Sequence, residues 1–208
     1  SDAEQLAYSC GYSFFPINAP SNFSAIMQDN KTVTLEWAAV SPVTRYKILR
    51  SENGGEYREI ATLSGTVYTD ENISYENTYK YKIYPIYTDC LNEIVEGKTS
   101  EAIARVEIPD SGLYDCLLEV ADNGDGILTS AELGKIERID AQNRKISNIE
   151  GIHFCTNLSD LNLSENNILD ITRLSELENL KRLDISYNQI ENIDPLANMG
   201  SLEELDLA

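Results

Sequence analysis

Residues 158–171 read LSDLNLSENNILDI and residues 180–193 read LKRLDISYNQIENI, two stretches that superimpose position for position at an offset of 22 residues. Working outward, Ile136, Leu158, Leu180 and Leu202 form one aliphatic column, and Ile139, Leu161, Leu183 and Leu205 form a second. Ala141, Leu163, Ile185 and Leu207 make a third, and two isoleucine columns follow at Ile146, Ile168, Ile190 and at Ile149, Ile171, Ile193, all without an insertion. Such a period marks a solenoid, in which one repeat cannot bury its apolar side alone and does so against its neighbours. The pattern L-x-x-L-x-L-x-x-N-x-I-x-x-I predicts a short strand that points alternate side chains into a shared core, and then a turn.

Asn166 and Asn188 occupy the turn. A side-chain amide there can satisfy backbone groups of its own coil and of the next, which an apolar residue could not. Arg144 stands in the first repeat instead, as befits an end coil that faces a cap. The two motifs closely resemble the internalin type of leucine-rich repeat found on bacterial surface proteins. The resemblance runs from about Ile136 to the last residue, and the sequence ends at Ala208 inside the strand of a fourth repeat. An uncapped end exposes its apolar layer, so the expectation is a piece of a longer protein or an end covered by a partner.

Upstream, from Ala19 to about Pro109, short runs alternate in period two: TVTLEWAAV, RYKILRS, REIATL, TYKYKIYPIY and EAIARVEI, separated by Gly, Asn, Ser and Asp. Val33, Leu35 and Trp37 share one strand face, and Tyr79, Tyr81 and Ile83 share another, which predicts an aromatic core between two sheets. With the opening APSNFSAI and the segment YKILRSENGGEY, this region resembles a fibronectin type III domain. Residues 1–18 are too short for a domain and are expected to form a leader segment. Tyr57, Tyr84 and Tyr87 could form an aromatic platform, but tyrosines on strands more often pack within the sheet.

Between these regions, LYDCLLEVADNGDGILTSAELGKIERID reads as helix, loop and helix, and its centre resembles an EF-hand or dockerin calcium loop. With Gly126 at the sharp turn, the resemblance implies calcium ligands at Asn123, Asp125, the carbonyl of Ile127, Thr129 and Glu132. The first ligand position is then Ala121, which has no carboxylate, so the expected role of the segment is a structural cap like the one that begins internalin arrays. The predicted architecture is thus multidomain: leader 1–18, an all-β fibronectin III-like sandwich over 19–109, an EF-hand-like helical cap over 110–135, and an α/β leucine-rich repeat solenoid over 136–208.

Composition narrows function. The chain has 35 Asp and Glu against 16 Lys and Arg, a net charge of −19, and no clustered basic stripe, which argues against nucleic acid as partner. The acidity lies mostly after Pro109, with 7 basic and 20 acidic residues. No stretch approaches the length of a membrane span. Cys10, Cys90, Cys116 and Cys155 permit three full pairings and the sequence chooses none. Cys116 shares a helical face with Leu113, Leu117 and Val120, and Cys155 aligns with Leu177 and Met199, so both read as buried fillers. The single histidine, His153, aligns with Ser175 and Ala197 on the back of the array and is expected at the surface. No nucleophile elbow, phosphate loop or metal-spaced Cys/His motif occurs, and the expectation is a protein without catalytic function.

A repeat array offers instead a curved face. Its outward positions are Asp140, Gln142, Asn162, Ser164, Asp184, Ser186 and Asp206, with Arg182 and Tyr187 beside them as the best candidates for a binding hot spot. The resemblance implies a secreted or surface-anchored bacterial recognition or adhesion protein that binds a protein partner on this concave face. The alternative, motivated by the fibronectin-type and dockerin-like resemblances, is a set of accessory modules of a larger secreted carbohydrate-active enzyme.

Overall fold

A computed structural model of the chain describes residues 17–41, 43, 45–88, 94–121 and 124–208. They fall into two compact units, one with the described residues through Ala25 plus Thr34–Asp70 and Tyr79–Ala104, the other with Ile26–Val33, Glu71–Thr78 and Arg105–Ala208. Most of the leader lies outside the described residues, as do Cys10, Cys90 and Asn123. No helix is long and apolar enough to cross a membrane among the described residues.

The period-two runs form strands. β1 (Ser24–Met27), β2 (Val33–Glu36), β3 (Arg45–Glu52), β4 (Arg58–Ser64), β5 (Val67–Asp70), β6 (Tyr79–Thr88), β7 (Ile94–Glu96), β8 (Ser100–Ile103) and β9 (Arg105–Val106) build two sheets. One runs β5-β2-β1-β9 and the other β4-β3-β6-β7, with β8 also paired to β6. The long β3–β6 pair is antiparallel from Arg45 opposite Ile86 to Glu52 opposite Tyr79. β1, β5 and β7 were not anticipated, since each is only three or four residues long and too short to show alternation.

The predicted inward residues are inward: Val33, Leu35, Trp37, Tyr79, Tyr81 and Ile83 are all buried. Trp37 meets Tyr46 edge-on with ring centroids 5.3 Å apart, and Phe23 at 6.3 Å. Among these apolar groups sits a charged pair. Arg50 donates to both carboxylate oxygens of Asp70 at 3.1 and 2.9 Å, and the Tyr81 hydroxyl donates to Asp70 at 3.0 Å. Asp70 is only 1% exposed. Burial, then the neighbouring Asp70 charge, drives the Tyr81 phenol far above its ordinary range, while the carboxylate holds Arg50 protonated against the desolvation it suffers.

In the second unit, the helix α1 (Ser111–Ala121) starts at Asp110, whose Oδ1 accepts the backbone N–H groups of Gly112 and Leu113 at 3.0 and 3.1 Å. The other oxygen accepts Ser147 N–H, Ser147 Oγ–H and Asn148 N–H, so one carboxylate both caps the helix and ties it to the first coil. Leu113, Cys116 and Leu117 face inward, whereas Val120 is 42% exposed and leaves the predicted apolar face at the helix end. A second short helix, α2 (Ser130–Leu133), follows the loop.

Four strands then stack in parallel at the 22-residue offset: β10 (Arg138–Asp140), β11 (Asp160–Asn162), β12 (Arg182–Asp184) and β13 (Glu204–Asp206). Short 3₁₀ turns close the other side at Ile152–Phe154, Thr172–Glu176 and Asp194–Leu196. The first two coils bury their columns almost completely, while Leu205 and Leu207 are 43% and 47% exposed.

His153 corrects the sequence reading. It is 2% exposed, although the aligned Ser175 and Ala197 are exposed. The back of the first coil is covered: Gly151 has φ +94°, and a Cβ there would stand 2.1 Å from Ile108 Cδ1. Cys116 and Cys155 are free and buried, as fillers should be. Burial pushes the Cys155 thiol up to about 12 and raises that of Cys116, so both stay protonated and unreactive near neutrality.

Candidate recognition face

The asparagine positions carry the array. Asn166 accepts the N–H groups of Arg144 and Ile146, both at 3.0 Å, and donates to the carbonyls of Ala141, Leu163 and Ser164. Asn188 repeats this one coil later, accepting from Ile168 N–H and donating to Leu163, Ile185 and Ser186. Each amide therefore links two coils. Arg144, where the first coil lacks an asparagine, sends its guanidinium to Glu119 of α1 in a two-pronged pair at 3.0 and 2.8 Å.

With the coils held in register, side chains on the strands fall into files across the face. In the first file, Asp160 accepts from Arg138 at 2.7 Å and from Arg182 at 2.8 Å. The Arg182 hydrogen bond is the leading cause of the lowered Asp160 carboxyl, so the Arg182 charge is already engaged inside the array. The second file holds Asp140, Asn162, Asp184 and Asp206 in direct register. Asn162 donates to Asp140 at 3.1 Å, and Asp206 accepts Ala208 N–H at 3.0 Å. Asp184 takes both the N–H and the hydroxyl of Ser186, at 3.0 and 2.6 Å.

Ser164 and Ser186 are not presented to a partner. They are 4% and 5% exposed, and their hydroxyls close turns onto Asn162 and Asp184. A residue two places beyond the strand has already begun the bend, which strand alternation does not foresee. Gln142 is exposed and donates to Glu165 at 2.7 Å. Tyr187 is 72% exposed. It sits at φ +51°, and the equivalent Glu165 and Asn143 at +57° and +55°, so each coil turns here through the left-handed region that an asparagine tolerates and a tyrosine resists. Between β11, β12 and β13 the face forms a shallow groove of about 620 Å³, lined by Asp160, Asn162, Arg182, Asp184, Glu204 and Asp206, with Leu161 and Leu183 buried beneath it.

Of the proposed calcium ligands, Asn123 lies outside the described residues. The Glu132 carboxylate turns back to the Thr129 N–H and hydroxyl at 2.9 and 2.8 Å, which builds the start of α2. Asp125 accepts Ile127 N–H at 2.8 Å, and the Gly126 carbonyl takes the Tyr114 hydroxyl at 2.7 Å. Among the described residues no group of three or more His, Cys, Asp and Glu side chains is placed to hold a metal ion. On the sandwich, Lys82 stands 4.3 Å from the centre of the Tyr57 ring and Lys47 5.6 Å from that of Tyr84, so these faces are covered by ammonium groups instead of lying open as a platform.

Comparison with known proteins gives three findings. Residues 178–208 match the family of Leucine Rich repeats (2 copies). Among solved structures, the chain is similar to an internalin, InlF, of Listeria monocytogenes, at 35% identity over 48% of this chain and 30% of that one, with a TM-score of 0.46. It is also similar to the functional domain of InlJ from Listeria monocytogenes, at 25% identity over 48% of this chain and 22% of that one, TM-score 0.44. A Fn3-like protein from Clostridium thermocellum matches at 28% identity over 45% of this chain and 97% of its own, TM-score 0.39. No curated protein matches the sequence. The chain spans under a third of the internalins it matches.

Proposed function

We propose that this chain is a non-catalytic recognition module of a secreted or surface-exposed bacterial protein, holding a protein partner on the concave face of its repeats while the sandwich serves as spacer. The observation that carries the reading is the four-stranded parallel face, which bears a shallow polar groove across β11, β12 and β13 and an exposed Tyr187 at the turn after β12. Stacked coils create extended surfaces of this kind, and binding energy concentrates on aromatic anchors. Arg182, tied to Asp160, serves as scaffold more than as contact.

The test uses the purified, fluorescently labelled chain on cultured epithelial cells and on intact bacterial cells, read by flow cytometry. The expected result is binding that disappears after the cell surface is shaved with trypsin. It should fall at least about tenfold with Tyr187→Ala combined with Asp184→Arg, the loss expected for one aromatic hot spot, and persist with Glu178→Ala, outside the sheet. Binding that survives the concave-face variant, or none that is sensitive to protease, sinks the reading.

A further inference from the structure

The 3₁₀ turn Ile152–Phe154 contains the one histidine of the chain, and its surroundings are unusual for an ionisable group. Its ring lies against Phe154 with centroids 4.3 Å apart. Nδ1 is buried and has no hydrogen-bond partner. A neutral imidazole tolerates this, because one nitrogen then carries no proton; an imidazolium has two N–H donors and a charge, and burial penalises both. The charged groups that act on it come from three places. Glu150 lies just before its own turn, Arg173 and Glu176 lie on the next 3₁₀ turn, and Asp29 lies between β1 and β2.

These acids do not rescue the charged form. Glu150 and Glu176 are both taken by Arg173, at 2.8 and 2.7 Å, and Asp29 is taken by Lys31 N–H, Thr32 N–H and the Thr32 hydroxyl. Burial, the largest influence, wins and lowers the imidazole below its usual range. The turn it belongs to is also tightly fitted, since Gly151 leaves room for Ile108 and no more.

We propose that His153 makes the back of the first coil an acid-responsive latch, closed by the neutral ring and opened when the ring takes up a proton. The sign follows from linkage. The latch is closed above the imidazole's unfolded value near 6.5, and the opened form, which binds the proton more tightly, gains population as pH falls below that value until the buried ring itself is protonated. Within this interval each pH unit multiplies the opening constant by up to about tenfold. Carboxylates with ordinary values of 3.8 to 4.5 lie below it and the raised thiols lie above it, so between pH 5.5 and 7.5 the imidazole is isolated.

The experiment records the single imidazole Cε1–H resonance of the whole chain against pH, with amide exchange of residues 150–155 measured in the same window. The expected titration midpoint lies below 6.5, and exchange in this segment, corrected for its intrinsic pH dependence, speeds up as pH falls from 7 to 5.5. His153→Gln should remove that acceleration, and His153→Phe gives a second neutral ring should the amide prove too polar to fold. A midpoint at or above 6.5 overturns the proposal without any variant, as does unchanged acceleration in either variant.

Discussion

The sandwich and the repeat array solve the same problem, burying backbone and apolar surface, with opposite use of polar groups. The sandwich pairs strands far apart in sequence and hides one ionic cluster, Arg50–Asp70–Tyr81, at a single point. The array pairs each strand with one 22 residues away and distributes its buried polarity as one amide per coil. Loss of a concentrated site is therefore all or nothing, whereas a distributed one fails coil by coil.

The sharpest break is Asp70→Ala, which removes the carboxylate shared by Arg50 and Tyr81. A buried pair stripped of one member costs about 3–5 kcal/mol. Since Trp37 is the only tryptophan and packs in the sandwich core, its fluorescence in a urea titration should report the drop. Next comes Asn166→Ala, which takes the acceptor from the N–H groups of Arg144 and Ile146 and a donor from the carbonyls of Ala141, Leu163 and Ser164, of which Leu163 keeps Asn188 and Ser164 keeps the N–H of Asn143. With water reaching some of them, about 3 kcal/mol is expected. Exchange should accelerate at residues 144–146 and 163–164 while the Trp37 transition moves less.

Smaller is Asp110→Ala, worth about 1–2 kcal/mol as a helix cap. Burial opposes ionisation of Asp110, but the N–H groups of Ser147, Leu113 and Asn148 outweigh it and hold the carboxyl below its ordinary 3.8. Its contribution is thus complete above about that pH and is lost as pH falls through the lower folded value, so acid unfolding curves of variant and parent should draw together as the pH falls below 3.8. The smallest change has the opposite sign. Tyr187→Asn relieves a left-handed residue and should stabilise the array by up to about 1 kcal/mol, read as a higher Tm, while weakening partner binding. A lower Tm would mean that the exposed ring packs against its own coil.

Much of the fold was legible because periodicity is a property of the sequence itself. The 22-residue columns, the interlocking asparagines and the Trp37 and Tyr81 faces all follow from spacing and residue type. The recognition face was legible only in part. Asp140, Asn162, Asp184 and Asp206 fall where alternation puts them, but Ser164 and Ser186 lie past the strand ends, where turn geometry takes over. The neutralisation of Arg182 by Asp160 joins residues 22 apart, a pairing that the repeat register itself announces once strands are stacked. His153 had no local signal, since the aligned Ser175 and Ala197 are exposed and nothing in the repeat register sets the first coil apart. Asp110 could have been found as an acidic residue just before a helix, but its grip on Ser147 and Asn148 could not.

The amide ladder also has a mechanical meaning. Because Asn166 and Asn188 each clamp their own coil to the preceding one, tension applied along the stack loads these clamps in series, and the weakest yields first. Each rupture would pay out 22 residues, a contour of roughly 75 Å at about 3.4 Å per extended residue. A stack clamped in this way should yield to tension in steps whose size is set by the repeat length.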